Sequence, residues 1–256
     1  MIYNDYAITD NTRYIKAKKI ISCLKYFDTN LSEKEVLEIG CGSGIISHEI
    51  SKIVKRMIAT DVSNEALYTS LRKDSLPFHF TLSDGSYLPY RNNSFDIVIC
   101  NEVIEHVSDQ EKLVDEIYRV MKSEGLCYIA TPNKLWPIEP HAKLPFLSYV
   151  PKSLANKYIK RFRGISEYDV KLSTYWRLKR VLSRRFEKII DFTPIVIKYP
   201  QEYFIIYEMP KFIKNILRKM PLVILEILMP ISLSWIFIGM KLRSKANEGI
   251  NNDLIP

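Results

Sequence analysis

Several features that would point to other classes of protein are scarce or absent in this sequence of 256 residues. The four cysteines are far apart and form no Cys-x-x-Cys pair, so neither a zinc site nor a disulfide framework is indicated. We interpret them as small core residues of a protein in a reducing cytosol. The segment that follows Met1 is too polar for a signal peptide.

Long uninterrupted hydrophobic segments are also lacking. The strongest candidate, residues 221–240, contains Glu226 and a central Pro230. Each half is shorter than the roughly 20 apolar residues that cross a bilayer as a helix. We therefore predict a helix from Pro221 to Met229 and a strand over residues 231–240, rather than a membrane span.

Charge is distributed unevenly along the chain. Residues 1–133 carry 15 Lys and Arg and 19 Asp and Glu, whereas residues 134–220 carry 19 and 7, a balance of +12. This asymmetry suggests an anionic partner for residues 134–220. The alternative is a lysine-rich surface without such a partner. A chain of this length is sufficient for one large domain with a substantial core.

Glycine is scarce, with eight residues, and three of them fall at alternate positions in one short segment: Gly40, Gly42 and Gly44. Val36 to Ile39 predicts a buried strand, and helical spacing resumes at Ile45. A strand, a glycine turn and a helix begin a doubly wound α/β domain. The dinucleotide fingerprint is excluded, because it requires glycine at the position of Ile45. An acid at Glu38 is also unfavourable beside a diphosphate.

The order Glu-Ile-Gly-Cys-Gly-Ser-Gly, residues 38–44, resembles motif I of the class I S-adenosylmethionine (SAM) methyltransferases. Residues 101–107, Asn-Glu-Val-Ile-Glu-His-Val, are similar to the motif after strand four in the ubiquinone-biosynthesis-like branch, methyltransferase type 11. The resemblance covers residues 35–133. It implies a seven-stranded, mostly parallel sheet with an antiparallel last strand, and SAM as the cofactor. No metal site is expected.

The resemblance and the strand ends together select the residues expected to bind SAM. Asp61 ends the second strand, near the spacing of a ribose-binding carboxylate, although it could instead only cap a helix starting near Asn64. In the family, an acid at the place of Asp84 contacts the adenine amino group. Arg13 and Tyr6 are further candidates to close over the cofactor. The predicted set is Glu38, Gly40, Cys41, Gly42, Gly44, Asp61, Val62, Asp84, Gly85 and Asn101.

The rest of the chain fits one methyltransferase domain at 1–243, with a basic region over the acceptor at 134–220 and a flexible tail at 244–256. Hydrophobic spacing predicts the following elements. The helices are 13–27, a helix capped by Asp109, 153–162 and 174–182; the later strands are 56–61, 78–82, 95–100, 125–131 and 186–197.

The acceptor site is expected around a proline-rich loop, residues 136–151, that follows the fifth strand. The loop looks like one in a subset of these methyltransferases associated with glycan and cell-envelope biosynthesis. Methyl transfer to a hydroxyl needs a base, which contributes roughly 10²–10⁴ in rate. We favour His141, because Glu139 could orient it, over His106. His48 and His79 are interpreted as structural, and either favoured histidine could equally be a surface residue.

These interpretations predict an enzyme that transfers a methyl group from SAM to a small-molecule, glycan or lipid-linked acceptor, at a hydroxyl oxygen. The expected location is the cytoplasm, including the inner face of the membrane, with no nucleic-acid partner. A basic helix over residues 211–219 could contact lipid, or its apolar side could simply cover the sheet. Two alternatives are a non-catalytic SAM-binding subunit of a membrane-associated complex and an NAD-dependent oxidoreductase.

Overall fold

The computed structural model of the chain describes residues 10–63, 77–203 and 211–242. The expectations for Tyr6, for a helix starting near Asn64 and for the tail at 244–256 fall on residues outside these ranges. The side chains of residues 211–214 also lie outside the described part.

The described residues form eight α-helices and nine strands. The helices are α1 (Asp10–Phe27), α2 (Ile45–Ser51), α3 (Gln110–Val120), α4 (Lys152–Arg163), α5 (Tyr175–Ser183), α6 (Thr193–Lys198), α7 (Lys211–Lys219) and α8 (Leu222–Leu228). The strands are β1 (Glu35–Ile39), β2 (Arg56–Asp61), β3 (His79–Leu82), β4 (Phe95–Asn101), β5 (Met121–Pro132), β6 (Ile138–Glu139), β7 (Leu144–Pro145), β8 (Lys188–Asp191) and β9 (Ser234–Met240).

Seven strands form one sheet in the order β3-β2-β1-β4-β5-β9-β8. Strands β1 to β5 pair in parallel, whereas β9 is antiparallel to both β5 and β8. This arrangement confirms the predicted seven-stranded, mostly parallel sheet with an antiparallel last strand. The strand order reverses between β1 and β4, and ligands of open α/β sheets bind beyond the carboxyl ends of the strands at such a reversal.

The two faces of the sheet carry separate apolar cores, because side chains alternate along each strand. In β1, Leu37 and Ile39 face the core that contains α3, α5 and α8, whereas Val36 faces the core of α1, α2 and α6. Strand β9 divides in the same way, with Trp235 and Phe237 on the first face. All four cysteines are buried and free, as predicted.

A third, smaller core belongs to the segment that follows β5. It is built from apolar residues between Ala142 and Leu172, including Leu147, Ala155 and Ile159. The antiparallel pair β6–β7 and the helix α4 lie in this segment. The proline-rich loop is therefore folded around its own apolar centre.

The predicted sixth strand over residues 186–197 is wrong in its second half. Strand β8 ends at Asp191, and residues 193–198 form α6. Pro194 lies in the first turn of α6, where proline's missing amide is not needed and its fixed φ suits a helix. The carboxylate of Asp191 accepts a hydrogen bond from the Thr193 amide at 3.1 Å, which supports the change of direction.

The predicted seventh strand begins later than expected, at Ser234 rather than residue 231. Met229 to Ile231 form a 3₁₀ turn around Pro230, and the Trp235 indole donates to the Met229 carbonyl at 2.7 Å. Strands β8 and β9 are antiparallel neighbours, but α6, α7 and α8 lie between them in the chain, so they are not a hairpin. None of the helices in the described ranges is long and apolar enough to cross a membrane.

Candidate active site

The glycine turn between β1 and α2 depends on residues without a Cβ atom. Gly40, Gly42 and Gly44 all have positive φ, at 73°, 53° and 72°. A Cβ on Gly40 would lie 2.3 Å from Val103 Cγ2, and one on Gly42 would lie 2.8 Å from an Arg13 guanidinium nitrogen. Both positions are therefore closed to larger residues by the turn's conformation and by its neighbours.

The amides of this turn are largely hydrogen-bonded within the protein. The Gly40 and Cys41 amides donate to the Thr60 carbonyl at 2.8 and 3.0 Å. The Gly42 amide donates to Asp61 Oδ2 at 2.8 Å, and Asp61 Oδ1 accepts from the Ser63 amide at 2.9 Å. Asp61 thus fixes the turn from the end of the neighbouring strand. An ionised carboxylate has about four acceptor positions, so Asp61 can also accept from ligand hydroxyls.

Glu38 is almost completely buried at the end of β1, where its carboxylate accepts a hydrogen bond from the Ser47 hydroxyl of α2. Burial raises the pKa of Glu38 to about 7, and the bond from Ser47 and the charge of Arg13 only partly oppose this. A buried acid of this kind gains from a cationic ligand group, because the cation favours the ionised form.

Helix α1 brings basic side chains to the same edge of the sheet. Arg13 Nη1 donates to the Ser43 hydroxyl at 2.6 Å, so Arg13 lies against the glycine turn. Lys16 forms an ion pair with Glu102, which follows β4 with a φ of 57°. The edge therefore combines acids from the strand ends with cations from α1.

The other predicted cofactor residues have varied environments. Asp84 is exposed after β3, and its Oδ1 accepts from the Ser86 amide at 2.7 Å. Gly85 is buried, and a Cβ there would come within 2.9 Å of Leu113, so close packing explains this glycine. Val62 is exposed after β2, and Asn101 is half-buried at the end of β4.

Glu139 and His141 form a hydrogen-bonded pair on the loop after β5. Glu139 Oε1 lies 3.0 Å from His141 Nδ1, and Glu139 itself is fully buried. The His141 side chain is 18% exposed. Burial alone would lower the pKa of His141, but the bond to Glu139 and the nearby carboxylates outweigh it and raise that pKa. The carboxylate holds the ring in one orientation and leaves Nε2 directed away from it.

Glu105 and His106, from the segment after β4, complete a cluster around His141. Glu105 Oε1 lies 3.8 Å from His141 Nε2, and Glu105 Oε2 accepts from the Thr131 hydroxyl at 2.9 Å. The His106 and His141 rings meet edge to face, with centroids 5.0 Å apart. Desolvation and then the neighbouring His141 lower the pKa of His106.

Nitrogen and oxygen atoms of Glu105, His106 and His141 all lie within 4.8 Å of one another. Imidazole and carboxylate groups at this spacing have the chemistry of ligands for a divalent cation. This grouping was not predicted from the sequence, which indicated only Glu139 as a partner of His141. Glu105 follows β4 and His141 follows β5, so these two residues meet only in the folded sheet.

Comparison with known proteins agrees with the fold and with the motifs. Residues 37–129 match the family described as a methyltransferase domain. The chain is 26% identical over 162 residues to a ubiquinone biosynthesis O-methyltransferase of Pelagibacter ubique, covering 61% of this chain and 62% of that protein. It is 34% identical over 91 residues to the mouse mitochondrial arginine-hydroxylase NDUFAF5, covering 35% of this chain and 26% of that protein.

Among solved structures, the plantazolicin methyltransferase BpumL, in complex with a monoazolic desmethylPZN analog and SAH, superposes with a TM-score of 0.60 at 18% identity, covering 94% of this chain and 88% of that one. The family match and the sheet topology together define a class I SAM-dependent methyltransferase domain. The chain is similar, over 61% of its length, to ubiquinone biosynthesis O-methyltransferases. The matches span less than two thirds of the length of the two curated relatives described above.

The raised pKa of the buried Glu105 predicts how the stability of the protein depends on pH. Burial, followed by the charge of Glu102, raises the pKa of Glu105 from 4.5 to about 7. The folded state therefore holds this proton more tightly than the unfolded chain, and stability falls as pH rises from 4.5 to about 7. Between pH 5 and pH 8, we expect the free energy of unfolding to fall by about 2 kcal/mol less in Glu105→Gln than in the parent.

Urea unfolding at the two pH values measures this difference. Glu38→Gln is a matched control, because Glu38 is also buried with a raised pKa but lies outside the cluster. It should show a similar change without altering the His141 titration followed by NMR. An unchanged pH dependence in Glu105→Gln would mean that Glu105 is ionised in the folded protein.

Proposed function

We propose that this protein transfers the methyl group of SAM to a hydroxyl oxygen of a glycan or lipid-linked acceptor, with His141 as the general base. The observation that carries the proposal is the contact of 3.0 Å between Glu139 Oε1 and His141 Nδ1. It places an oriented imidazole after β5, at the same edge of the sheet as the glycine turn after β1. The name of the Pelagibacter relative, an O-methyltransferase, supports oxygen as the acceptor atom.

The residues around the turn fit the chemistry of SAM. The amino-acid end of SAM carries an ammonium and a carboxylate, which complement the acid Glu38 and the cation Arg13. Asp61 ends β2 within reach of the turn and keeps acceptor capacity for ribose hydroxyls. Because most turn amides are already bonded internally, we assign recognition to these side chains and to close approach over the glycines.

SAM supplies a methyl group already activated by its sulfonium. The protein's own contribution is to position the acceptor and to remove its proton. In the proposed role, His141 accepts the hydroxyl proton at Nε2 while Glu139 stabilises the resulting imidazolium through Nδ1. Glu105, 3.8 Å from Nε2, bounds the place where the hydroxyl would sit. His106 forms a further wall of this site through its ring contact with His141.

The acceptor class is inferred from the region after β5. Residues 134–220 carry the +12 balance and contain the folded loop that holds His141. Its exposed apolar side chains include Ile138, Phe146 and Tyr149. Basic and apolar groups together suit an acceptor with an anionic part and an apolar part, such as a lipid-linked glycan precursor presented at the inner face of the membrane.

If the protein were a non-catalytic SAM-binding subunit, His106 and His141 would have no chemical role. It would be favoured by complete burial of both histidines, yet His106 is exposed and His141 is partly exposed. A domain match does not by itself define the reaction, as the name of the related arginine-hydroxylase shows. Turnover must therefore be measured directly.

For the cofactor, we expect Asp61→Ala to weaken SAM binding by about 10- to 100-fold, consistent with the loss of a charge-assisted hydrogen bond worth about 1.5–3 kcal/mol. Isothermal titration calorimetry with SAM and SAH measures the change. Asp61→Asn keeps the side-chain shape and separates loss of charge from loosening of the turn. Undiminished affinity in Asp61→Ala would remove this residue from the site, and tight binding of NADH would favour the oxidoreductase alternative.

For the base, we expect His141→Ala to lower turnover by roughly 10²-fold or more while SAM affinity is retained. Glu139→Gln should lower the pKa of His141, which moves the acidic limb of the pH–rate profile to lower pH. His106→Ala is the matched control, since its ring lies beside that of His141 while the hydrogen bond to Glu139 is made by His141.

Two results would change the roles proposed for His141 and His106. An active His141→Ala with an inactive His106→Ala would transfer the role of base to His106. Loss of activity on chelation, restored by an added divalent cation, would show that the cluster of Glu105, His106 and His141 acts as a metal site, and that His141 is not the base.

The acceptor itself can be sought in cells. We expect a deletion strain to accumulate an unmethylated envelope glycan or lipid precursor, lighter than the wild-type compound by the mass of one CH2 group. Mass spectrometry of extracted glycans and lipids detects it, and complementation with His141→Ala provides the control. Unchanged glycan and lipid profiles would contradict the proposed acceptor class.

A further inference from the structure

Helix α8 is aliphatic except for the exposed Glu226, and only one of its sides is covered. Leu225 and Met229 point into the core beneath the sheet. On the opposite side, Val223, Ile227 and Ile231 are 65%, 70% and 63% exposed, at a spacing of four residues. Exposed aliphatic side chains that cluster in this way mark a surface that contacts another molecule or a membrane. These three residues, with the exposed Ile224 beside them, form what we call the aliphatic ridge.

The ridge lies at the end of the molecule that holds the candidate active site. The side-chain amide of Asn133, directly after β5, donates to the carbonyls of Pro230 and Ser232 at 2.9 and 2.6 Å. These residues flank Ile231. Two positions earlier, the Thr131 hydroxyl donates to Glu105 in the histidine cluster. The ridge is therefore tied to the carboxyl edge of the sheet through a few direct bonds.

Positive charge borders the ridge. Helix α7, which precedes α8, contains four basic residues and no acidic one in its sequence of nine residues. Its last two residues, Arg218 and Lys219, are exposed. Leu217 and Leu222, on either side of the junction between the helices, pack against the core and hold the junction to the body of the protein.

We propose that the aliphatic ridge docks the protein on a bilayer containing anionic lipids, with Arg218 and Lys219 near the phosphates. At seven residues, α8 is only about 10 Å long and would lie in the interface rather than cross the membrane. Branched aliphatic side chains without hydrogen-bonding groups suit acyl chains, which need no matching shape. Docking in this way would turn the acceptor loop after β5 towards the lipid surface.

This inference deepens the proposal of a membrane-presented acceptor, because it assigns the contact to particular residues. The earlier expectation concerned the basic helix at 211–219, in which Ile216 is 55% exposed, whereas the aliphatic ridge belongs to α8 and the turn after it. Vesicle binding does not depend on methyl transfer. A protein that docks but does not methylate would contradict the proposed function alone, and one that methylates without docking would contradict this inference alone.

The test is cosedimentation of the full chain with phosphatidylcholine vesicles, with and without phosphatidylglycerol, at low and high salt. We expect the parent to bind the anionic vesicles. The double variant Ile227→Gln/Ile231→Gln should bind at least about tenfold more weakly, since it removes apolar area that enters the interface. Arg218→Gln/Lys219→Gln should lose the part of the affinity that depends on salt.

Leu242→Gln is the matched control, because Leu242 is an equally simple exposed aliphatic residue, 51% exposed, beyond the opposite end of β9. It should bind as the parent does, and all variants should keep their SAM affinity. In Ile227→Trp, quenching of the added fluorescence by brominated lipids would support insertion of the ridge.

Three results would overturn the proposal. The first is no binding of the parent to anionic vesicles at low salt. The second is equal binding by the parent and the double ridge variant. The third is a parent dimer in sedimentation velocity that the double ridge variant dissociates, without vesicle binding, because the ridge would then be an interface between two copies of the chain.

Discussion

The constraint on which the site depends is that parallel strands end at the same edge of a sheet. Motif residues far apart in the chain, from the glycine turn after β1 to His141 after β5, meet because β1, β4 and β5 are parallel neighbours. The reversal of strand order between β1 and β4 opens a crevice there. At the end of β2, Asp61 accepts a hydrogen bond from the Gly42 amide, which fixes the glycine turn after β1 relative to β2.

Much of this arrangement could be predicted from the sequence, because the signals were local. The apolar segment Val36 to Ile39 followed by alternate glycines defined β1, its turn and α2. Asp109 was recognised as the cap of α3, and its carboxylate does accept from the Glu111 and Lys112 amides. Glu139 and His141 are two residues apart, so their contact could be expected before the fold was known.

Other features could not be predicted, because they depend on tertiary neighbours. The β-branched residues around Ile195 favoured a strand, but Pro194 and the Asp191 carboxylate start a helix there. The glycine spacing predicted the turn but not the partners of its amides, several of which donate to the Thr60 carbonyl and to Asp61. The approach of Glu105 to His141 is set by the register of β4 against β5, which no local spacing reveals.

The position of β9 has a consequence for how the chain folds. It lies between β5 and β8, so β8 has no strand to pair with until residues 234–240 have been synthesised. Closing the β5–β9 ladder joins Thr131 to Trp235 across a long intervening segment, and such non-local pairing is slow. During that interval the outer edge of the long strand β5 is open to other chains. Completion of the sheet is therefore the step at which newly made molecules would be most prone to associate wrongly.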